Sequence, residues 1–388
     1  MYIAYTPEQD ALRAELRAYF AALMTPAVEA EVARGDTGGP HCLEAVRRMG
    51  RDGWLGIGWP REYGGQGRGL VEQFIFYDEA WRALAPIPAL TINAIAHTIM
   101  AFGSEEQKQF FLPRILRGEL HFAVGYTEPQ AGTDLASLRT RAVRDGDDWI
   151  ISGQKIYTSL AGYADYVWLA ARTDPEAPKH KGISIFAMPT TAPGFSHSII
   201  HTLVDSGTTN TFYDNVRVPG TALIGEANKG WKLITNQLNY ERVAIAPPGM
   251  VEKVYEDTVG WAATTRLADG RRVIDQEWVR LDLARVHAKL EFLRLANWKA
   301  VTSPTQNPAD ASATKVFGSE FFCEAYRLLL GVFGAAGALR GSDHAPLRGR
   351  LERAYQGTLF LTFGGGTNEV QRDLIALFGL GMPRIPRH

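Results

Sequence analysis

The chain has 388 residues, and its 41 Lys plus Arg against 42 Asp plus Glu leave a net charge of -1. That balance excludes the charge excess that draws a protein to nucleic acid or to an anionic membrane. Cys42 and Cys323 are the only cysteines, too few for a disulfide framework or a Cys-rich metal site, so a reducing, cytoplasmic setting and no metal are expected.

The length exceeds one ordinary core and predicts two or three domains. The opening MYIAYTPEQD carries neither a basic nor an apolar signal region. No run of about 18 apolar residues follows anywhere, so no membrane span is expected. Thr6-Pro7-Glu8-Gln9 reads as a capping box with proline at the first helical position. Leu12, Leu16, Tyr19, Phe20 and Leu23 then keep helical spacing. Further helices are predicted over 42–53, 71–84 and 104–118, with turn-rich pieces such as WPREYGGQGRG between them.

Residues 121–219 change texture. HFAVGYT, WIISGQKIYT, DYVWLAAR, GISIFAM and TFYDNVRVP are short and β-rich, separated by turn clusters, which argues an antiparallel sheet or a barrel and not βαβ units. From Trp231 the spacing is helical again, in the long segments KLITNQLNYERVAIA, QEWVRLDLARVHAKLEFLRLANWKAV and ASATKVFGSEFFCEAYRLLLGVFGAAGAL, then NEVQRDLIALFGL. Helices, strands and a helix bundle in that order suit an α+β chain, divided near 1–120, 121–230 and 231–388.

Common motifs fail. GEANKGWK lacks a Ser or Thr after a Gly-Lys pair, no Gly-x-Gly-x-x-Gly joins a strand to a helix, and neither HExxH nor Gly-x-Ser-x-Gly occurs. Three segments remain. YTEPQAGTDLASL (126–138) gathers small hydroxyls and free backbone N–H groups, which suit the polar edge of a ring or a phosphate; alone it is equally an ordinary loop. In SGQKIYTS a strand running into Tyr157-Thr158-Ser159 places an aromatic ring and a hydroxyl on one face, fit for a planar cofactor, or else a barrel strand with a buried Tyr. In LNYERVAIAP, Glu241 and Arg242 sit among Ile234, Leu238, Val243 and Ile245, where a carboxylate has a raised pKa and serves as a base, or else forms a plain ion pair.

Together these segments resemble the acyl-CoA dehydrogenase family, flavoenzymes that oxidise the α,β bond of acyl thioesters. YTEPQAGTDLASLRT is similar to its flavin segment, GQKIYTS to its G-x-K stretch, DNVRVP with IGEANKGW to its D-V-x-V-P…G-W stretch, and FGGGTNEVQRD to its C-terminal G-T-x-E/Q-x-x-R motif. The resemblance implies a helical N-terminal domain, a middle β-barrel-like domain and a C-terminal four-helix bundle. It implies FAD, with Thr127 at the flavin pyrimidine edge, the backbone from Val124 to Tyr126 lining it, and Gly132 and Thr133 at the pyrophosphate. Tyr157 would shield the ring, Ser159 would face N5, and Thr367 and Glu369 would add flavin-side contacts. Thr133, Asn239, Tyr240 and Arg242 fall on the substrate side.

Many members place the catalytic Glu directly before Gly-Thr, where this chain has Gly365. A smaller branch has a small residue there and takes its base from a Glu-Arg pair on a bundle helix, which Glu241-Arg242 matches. The resemblance then implies that Glu241 removes the α-proton, that the β-hydride passes to flavin N5, and that the Gly365 N–H polarises the thioester carbonyl. Two family elements are missing. RLADGRRVIDQEW lacks R-x-x-F-G, and GVFGAAGAL stands for Q-I-L-G-G-N-G, with Gly331 and Ala336 at the Gln and Asn places. Such a chain resembles the base-bearing subunit of the α2β2 dehydrogenases of actinobacterial steroid side-chain degradation. A second, diverged subunit would supply the adenine clamp, and an electron-transfer flavoprotein would accept the electrons. The alternatives are a homotetramer acting on branched or short acyl-CoA, with Arg271 or Arg272 on FAD, and a catalytically silent structural subunit.

Overall fold

The computed structural model describes residues 3–204, 207–241, 246–303, 307–340, 342 and 344–383, with the backbone alone for 238–241 and 348. Six helices lead: α1 (Pro7–Leu23), α2 (Pro26–Ala33), α3 (Pro40–Arg51), α4 (Leu70–Ala83), α5 (Ala96–Phe102) and α6 (Glu105–Leu116). Eight strands follow: β1 (Phe122–Gly125), β2 (Arg141–Asp145), β3 (Asp148–Lys155), β4 (Tyr166–Arg172), β5 (Ile183–Pro189), β6 (Phe195–Ile200), β7 (Thr208–Pro219) and β8 (Leu223–Ile224). Then come α7 (Gly230–Glu241), α8 (Gly249–Thr264), α9 (Glu277–Thr302), α10 (Pro308–Val332), α11 (Arg350–Thr358) and α12 (Asn368–Leu374), which runs into a π-helical turn at Ile375–Gly379. This is an α+β chain, and none of its described helices is long and apolar enough to cross a membrane.

The chain divides into two compact units. Met1–Thr25, Gly69–Ala85 and Arg242–His388 form a helical unit; Pro26–Arg68 and Pro86–Glu241 form a unit around the sheet. In the helical unit α1 starts as its sequence dictates: the Thr6 hydroxyl accepts the Gln9 N–H at 3.3 Å, and the Gln9 side chain accepts the Thr6 N–H at 3.1 Å. Leu12, Leu16, Phe20 and Leu23 are buried at helical spacing, as expected. The core of this unit joins Val251 and Val254 of α8, Val286, Leu290 and Leu293 of α9, and Phe322, Tyr326 and Leu329 of α10. Glu79 of α4 binds Arg13 and Arg17 of α1, and Glu252 of α8 lies 3.4 Å from Arg82 and 2.9 Å from Arg294. These carboxylates are buried and paired, the condition under which a buried charge is tolerated.

In the second unit the strand order is β6-β7-β3-β2-β4-β5-β8, and β1 pairs with β4. The sheet is mixed. β1 and β2 run parallel to β4, and the remaining pairings are antiparallel as expected. Burial decides which strands the sequence betrays. β4 and β5 are buried almost throughout, β3 alternates, and both textures were readable. β6 is exposed along its middle and carries no apolar period. The strand expected to reach Ser159 ends at Lys155, because a left-handed residue at Tyr157 (φ 59°) breaks the extended run.

Candidate active site

In the sheet unit the turn after β1 is built on a buried ion pair. Lys155, wholly buried in β3, donates to Glu128 Oε1 at 2.8 Å and to the Tyr126 carbonyl at 3.0 Å. Glu128 also accepts the N–H of Thr140 at 2.8 Å, that of Arg139 at 2.6 Å, and the Gln130 amide at 2.5 Å. Glu128 and Ala131 exchange backbone hydrogen bonds at 3.0 Å in both directions. Burial opposes both charges. It pulls the Lys155 ammonium down to about 8 despite Glu128. At Glu128 burial is outweighed by Lys155 and the N–H donors, which hold the carboxyl below its ordinary value.

The turn so locked leaves its outer edge open. The Thr127 carbonyl accepts the Ile156 N–H at 2.9 Å, which sets residues 127 and 156 side by side. Among the described residues the hydroxyls of Thr127 and Thr133 have no partner. Gly132 has no atom within 4 Å of where a Cβ would stand, and Thr133 is exposed. Val124 is half-buried in β1, opposite Trp168. The Tyr126 hydroxyl is occupied, donating to Gln237 Oε1 of α7 at 2.5 Å and accepting from Trp168 Nε1 at 3.1 Å. Tyr126 thereby ties β1 and β4 to the helix that ends in Glu241.

Beyond Lys155 the chain turns Thr158 inward, bonded to Thr211 and Thr209, and leaves Tyr157 and Ser159 outward. The strand alternation expected to set ring and hydroxyl on one face is therefore absent here; both residues are exposed from a turn that follows the strand. Tyr157 is 61% exposed at positive φ, an outlier for an aromatic residue. The Ser159 hydroxyl lies 3.0 Å from Thr208 Oγ1.

The helical unit holds the three glycines. A Cβ on Gly364 would stand 3.1 Å from the Phe360 ring, and one on Gly366 2.8 Å from Gln371 Nε2. Gly365 and Gly366 have left-handed φ values of 67° and 95°, which only glycine adopts without strain. Gly365 itself faces no atom within 4 Å of a Cβ position. Phe363 and Gly364 donate to the Phe360 carbonyl at 3.1 and 2.7 Å, whereas the N–H groups of Gly365 and Gly366 have no acceptor among the described residues. The Thr367 hydroxyl caps α12, accepting the Val370 N–H at 3.3 Å. Glu369 is exposed, and its own N–H and the Thr367 hydroxyl hold its carboxyl below the ordinary value.

Lys315 of α10 reaches this loop from the core. Its ammonium donates to Asn368 Oδ1 at 2.7 Å, the Gly366 carbonyl at 2.9 Å and the Thr362 carbonyl at 3.3 Å. Burial pushes it down to about 8. Asn368 is buried in turn, bonded to the Ser319 hydroxyl at 3.0 Å and to Glu320 at 3.1 Å, and Arg372 reaches Glu320 at 2.7 Å. The sequence reading passed over Lys315, Asn368 and the Glu128–Lys155 pair. Its missed signal was positional: Lys315 falls on the inward stripe of α10 with Ser312, Ser319, Phe322 and Tyr326.

Glu241 is the last residue of α7, one helical turn beyond buried Gln237. Its side chain, those of Asn239 and Tyr240, and Arg242 as a whole lie outside the described residues. Where the R-x-x-F-G element is missing, Arg271 and Arg272 are exposed and paired with Asp269 and Asp275. Gly331 lies near the open end of α10, with no atom within 4 Å of a Cβ position.

Three family models match the chain: acyl-CoA dehydrogenase N-terminal domain over residues 6–119, middle domain over 123–216 and C-terminal domain over 228–379. Acyl-CoA dehydrogenase FadE26 of Mycobacterium tuberculosis is 56% identical over 400 residues, covering 100% of both chains. A chain in the crystal structure of the ChsE4-ChsE5 complex from Mycobacterium tuberculosis is 56% identical, with a TM-score of 0.94 over 99% of this chain and 100% of that one. A chain of the Tcur3481-Tcur3483 steroid ACAD is 51% identical, with a TM-score of 0.94 over 99% and 100%.

Proposed function

Because this chain belongs to the acyl-CoA dehydrogenase family, we propose that it desaturates the α,β bond of a steroid side-chain CoA ester, as the base-bearing subunit of an α2β2 enzyme. FAD, when bound, supplies the acceptor for the β-hydride at its N5 and passes the electron pair to an electron-transfer flavoprotein. The residues fit that group. The backbone of Val124–Tyr126 and the Thr127 hydroxyl, which has no partner among the described residues, suit the pyrimidine edge, and the open Gly132 and Thr133 suit the pyrophosphate and the pantetheine arm. Tyr157 and Ser159 are both exposed, so that Tyr157 would shield the ring and Ser159 would donate toward N5. Thr367 and Glu369 add contacts beside the glycine loop.

Glu241 takes the α-proton, and the Gly365 N–H donates to the thioester oxygen as negative charge develops there. Asn239, Tyr240 and Arg242 flank the acyl group. The single observation that carries this reading is Gly365: a left-handed glycine with an empty Cβ position, whose N–H has no acceptor among the described residues, occupies the place where many family members carry the catalytic Glu. The partner claim is supported by the two missing family elements and by similar chains that occur in two-component complexes.

The test is turnover of a steroid side-chain CoA ester against isovaleryl-CoA, with Glu241→Gln alongside. The wild type should prefer the steroid ester. Glu241→Gln should keep its flavin and lose more than the roughly 10²–10⁴-fold that acid–base assistance contributes. Undiminished turnover in that variant would instead mean a silent subunit, and preference for isovaleryl-CoA a branched-chain enzyme.

A further inference from the structure

Three glycines in a row give residues 364–366 wide backbone freedom, yet a donor to a forming oxyanion acts only if it is fixed beforehand. Lys315 supplies the fixation. Its three N–H donors have three acceptors: the carbonyls of Thr362 and Gly366, on either side of residues 363–365, and the side chain of Asn368, the first residue of α12. One ammonium thus ties the turn before the glycines to the helix after them. All three acceptors are neutral. A buried ammonium that touches no carboxylate is costly for folding alone, and an apolar side chain would fill the inward stripe of α10 at less cost. A second tier holds the clamp: Ser319 and Glu320 fix Asn368, and Arg372 fixes Glu320.

We propose that Lys315 is a positioning residue for the thioester, closing the glycine loop so that the Gly365 N–H is held as donor to the carbonyl oxygen. This rests on the reading of Gly365 given above. The charged groups around the ammonium are Glu320 on its own helix and Glu369 and Arg372 on α12; the turns at Leu359–Thr362 and Ile375–Gly379 carry none.

The experiment uses the flavin-loaded enzyme assembled with its partner and an unreactive CoA thioester carrying carbon-13 at the carbonyl. Isotope-edited infrared spectra of the bound ligand are compared for wild type, Lys315→Met and Lys315→Arg. In the wild type the bound carbonyl stretch should fall below its value in solution. Lys315→Met should move it back toward the free value and lower kcat by about 10²-fold, the scale of a lost oxyanion donor, with KM little changed. Lys315→Arg should restore part of both. An unshifted wild-type band would sink the Gly365 reading itself. A shifted wild-type band that Lys315→Met leaves in place, with kcat intact, would overturn the role of Lys315 alone. Should Lys315→Met fail to fold, Asn368→Asp carries the test. The added carboxylate keeps the ammonium charged, so the alkaline loss of kcat, expected near 8 in the wild type, should move to higher pH; an unmoved limb counts against the proposal.

Discussion

At the scale of single residues, the Glu128–Lys155 pair is the most exposed to mutation. Both side chains are essentially free of solvent, so removing either leaves the other's charge buried without its direct ion-pair partner. Lys155→Met or Glu128→Gln is expected to lower the unfolding free energy by roughly 3–5 kcal/mol, as for other broken buried pairs. The double variant should recover a large part of that loss. Urea titration followed by tryptophan fluorescence measures this, and single variants no worse than the double would contradict the pairing. The two residues are 27 apart, and a chain read in isolation shows each only as a letter inside a motif. What was legible was parity: Trp149, Ile151 and Lys155 are the buried positions of β3 and alternate along it. Tyr157 was legible as a ring beside a hydroxyl, but its positive φ was not, since aromatic residues otherwise favour the extended backbone.

At the scale of elements, α8 is latched to α4. The N–H of Gly249, its first residue, donates to Asp78 Oδ1 at 2.6 Å, and a Cβ on Gly249 would lie 2.1 Å from the Asp78 carbonyl. Burial pushes the Asp78 carboxyl up to about 7, Glu252 and Glu79 push the same way, and the Gly249 N–H and Arg13 pull against them. The sign follows. Below the ordinary value of 3.8 the group is neutral folded or unfolded. Between 3.8 and about 7 the unfolded chain has released a proton that the folded chain still holds, so this contribution to stability falls as pH rises and is gone above that range. Asp78→Asn keeps an oxygen for Gly249 and removes the titration. Its urea midpoint should therefore gain on the wild type as pH rises from 5 to 8, roughly across the raised titration; a constant difference would refute the latch as described. The starts of α1 and α6 were readable because both open on a capping box, a local signal. β6 was not, because an exposed strand needs no apolar alternation.

At the scale of the whole molecule, α9 has two apolar faces. Val279, Leu283, Val286, Leu290 and Leu293 point into the core of the helical unit. Trp278, Leu281, Phe292 and Leu295 lie on another side, 46%, 54%, 53% and 51% exposed, with Ala284 and Ala288 also exposed between them. At about 100° per residue these six fall within an arc of roughly 120°, a largely apolar stripe along the helix with Arg285 near one edge. A helix apolar on both sides, in a chain whose described helices are none of them long and apolar enough to cross a membrane, expects a second protein surface. The departures legible in the sequence, at RLADGRRVIDQEW and GVFGAAGAL, independently point to a chain completed by another. The occupant that fits both features is the second acyl-CoA dehydrogenase-like subunit of the proposed α2β2 enzyme. Leu281→Glu combined with Leu295→Glu would place two charges on the stripe while leaving the inward face of α9 untouched. Co-expressed with the partner, this variant should keep its circular dichroism and lose the heterotetrameric mass in light scattering, with less FAD retained than in the wild type. Should the variant keep both mass and flavin, the stripe on α9 is no part of the assembly, and the partner must meet the chain elsewhere.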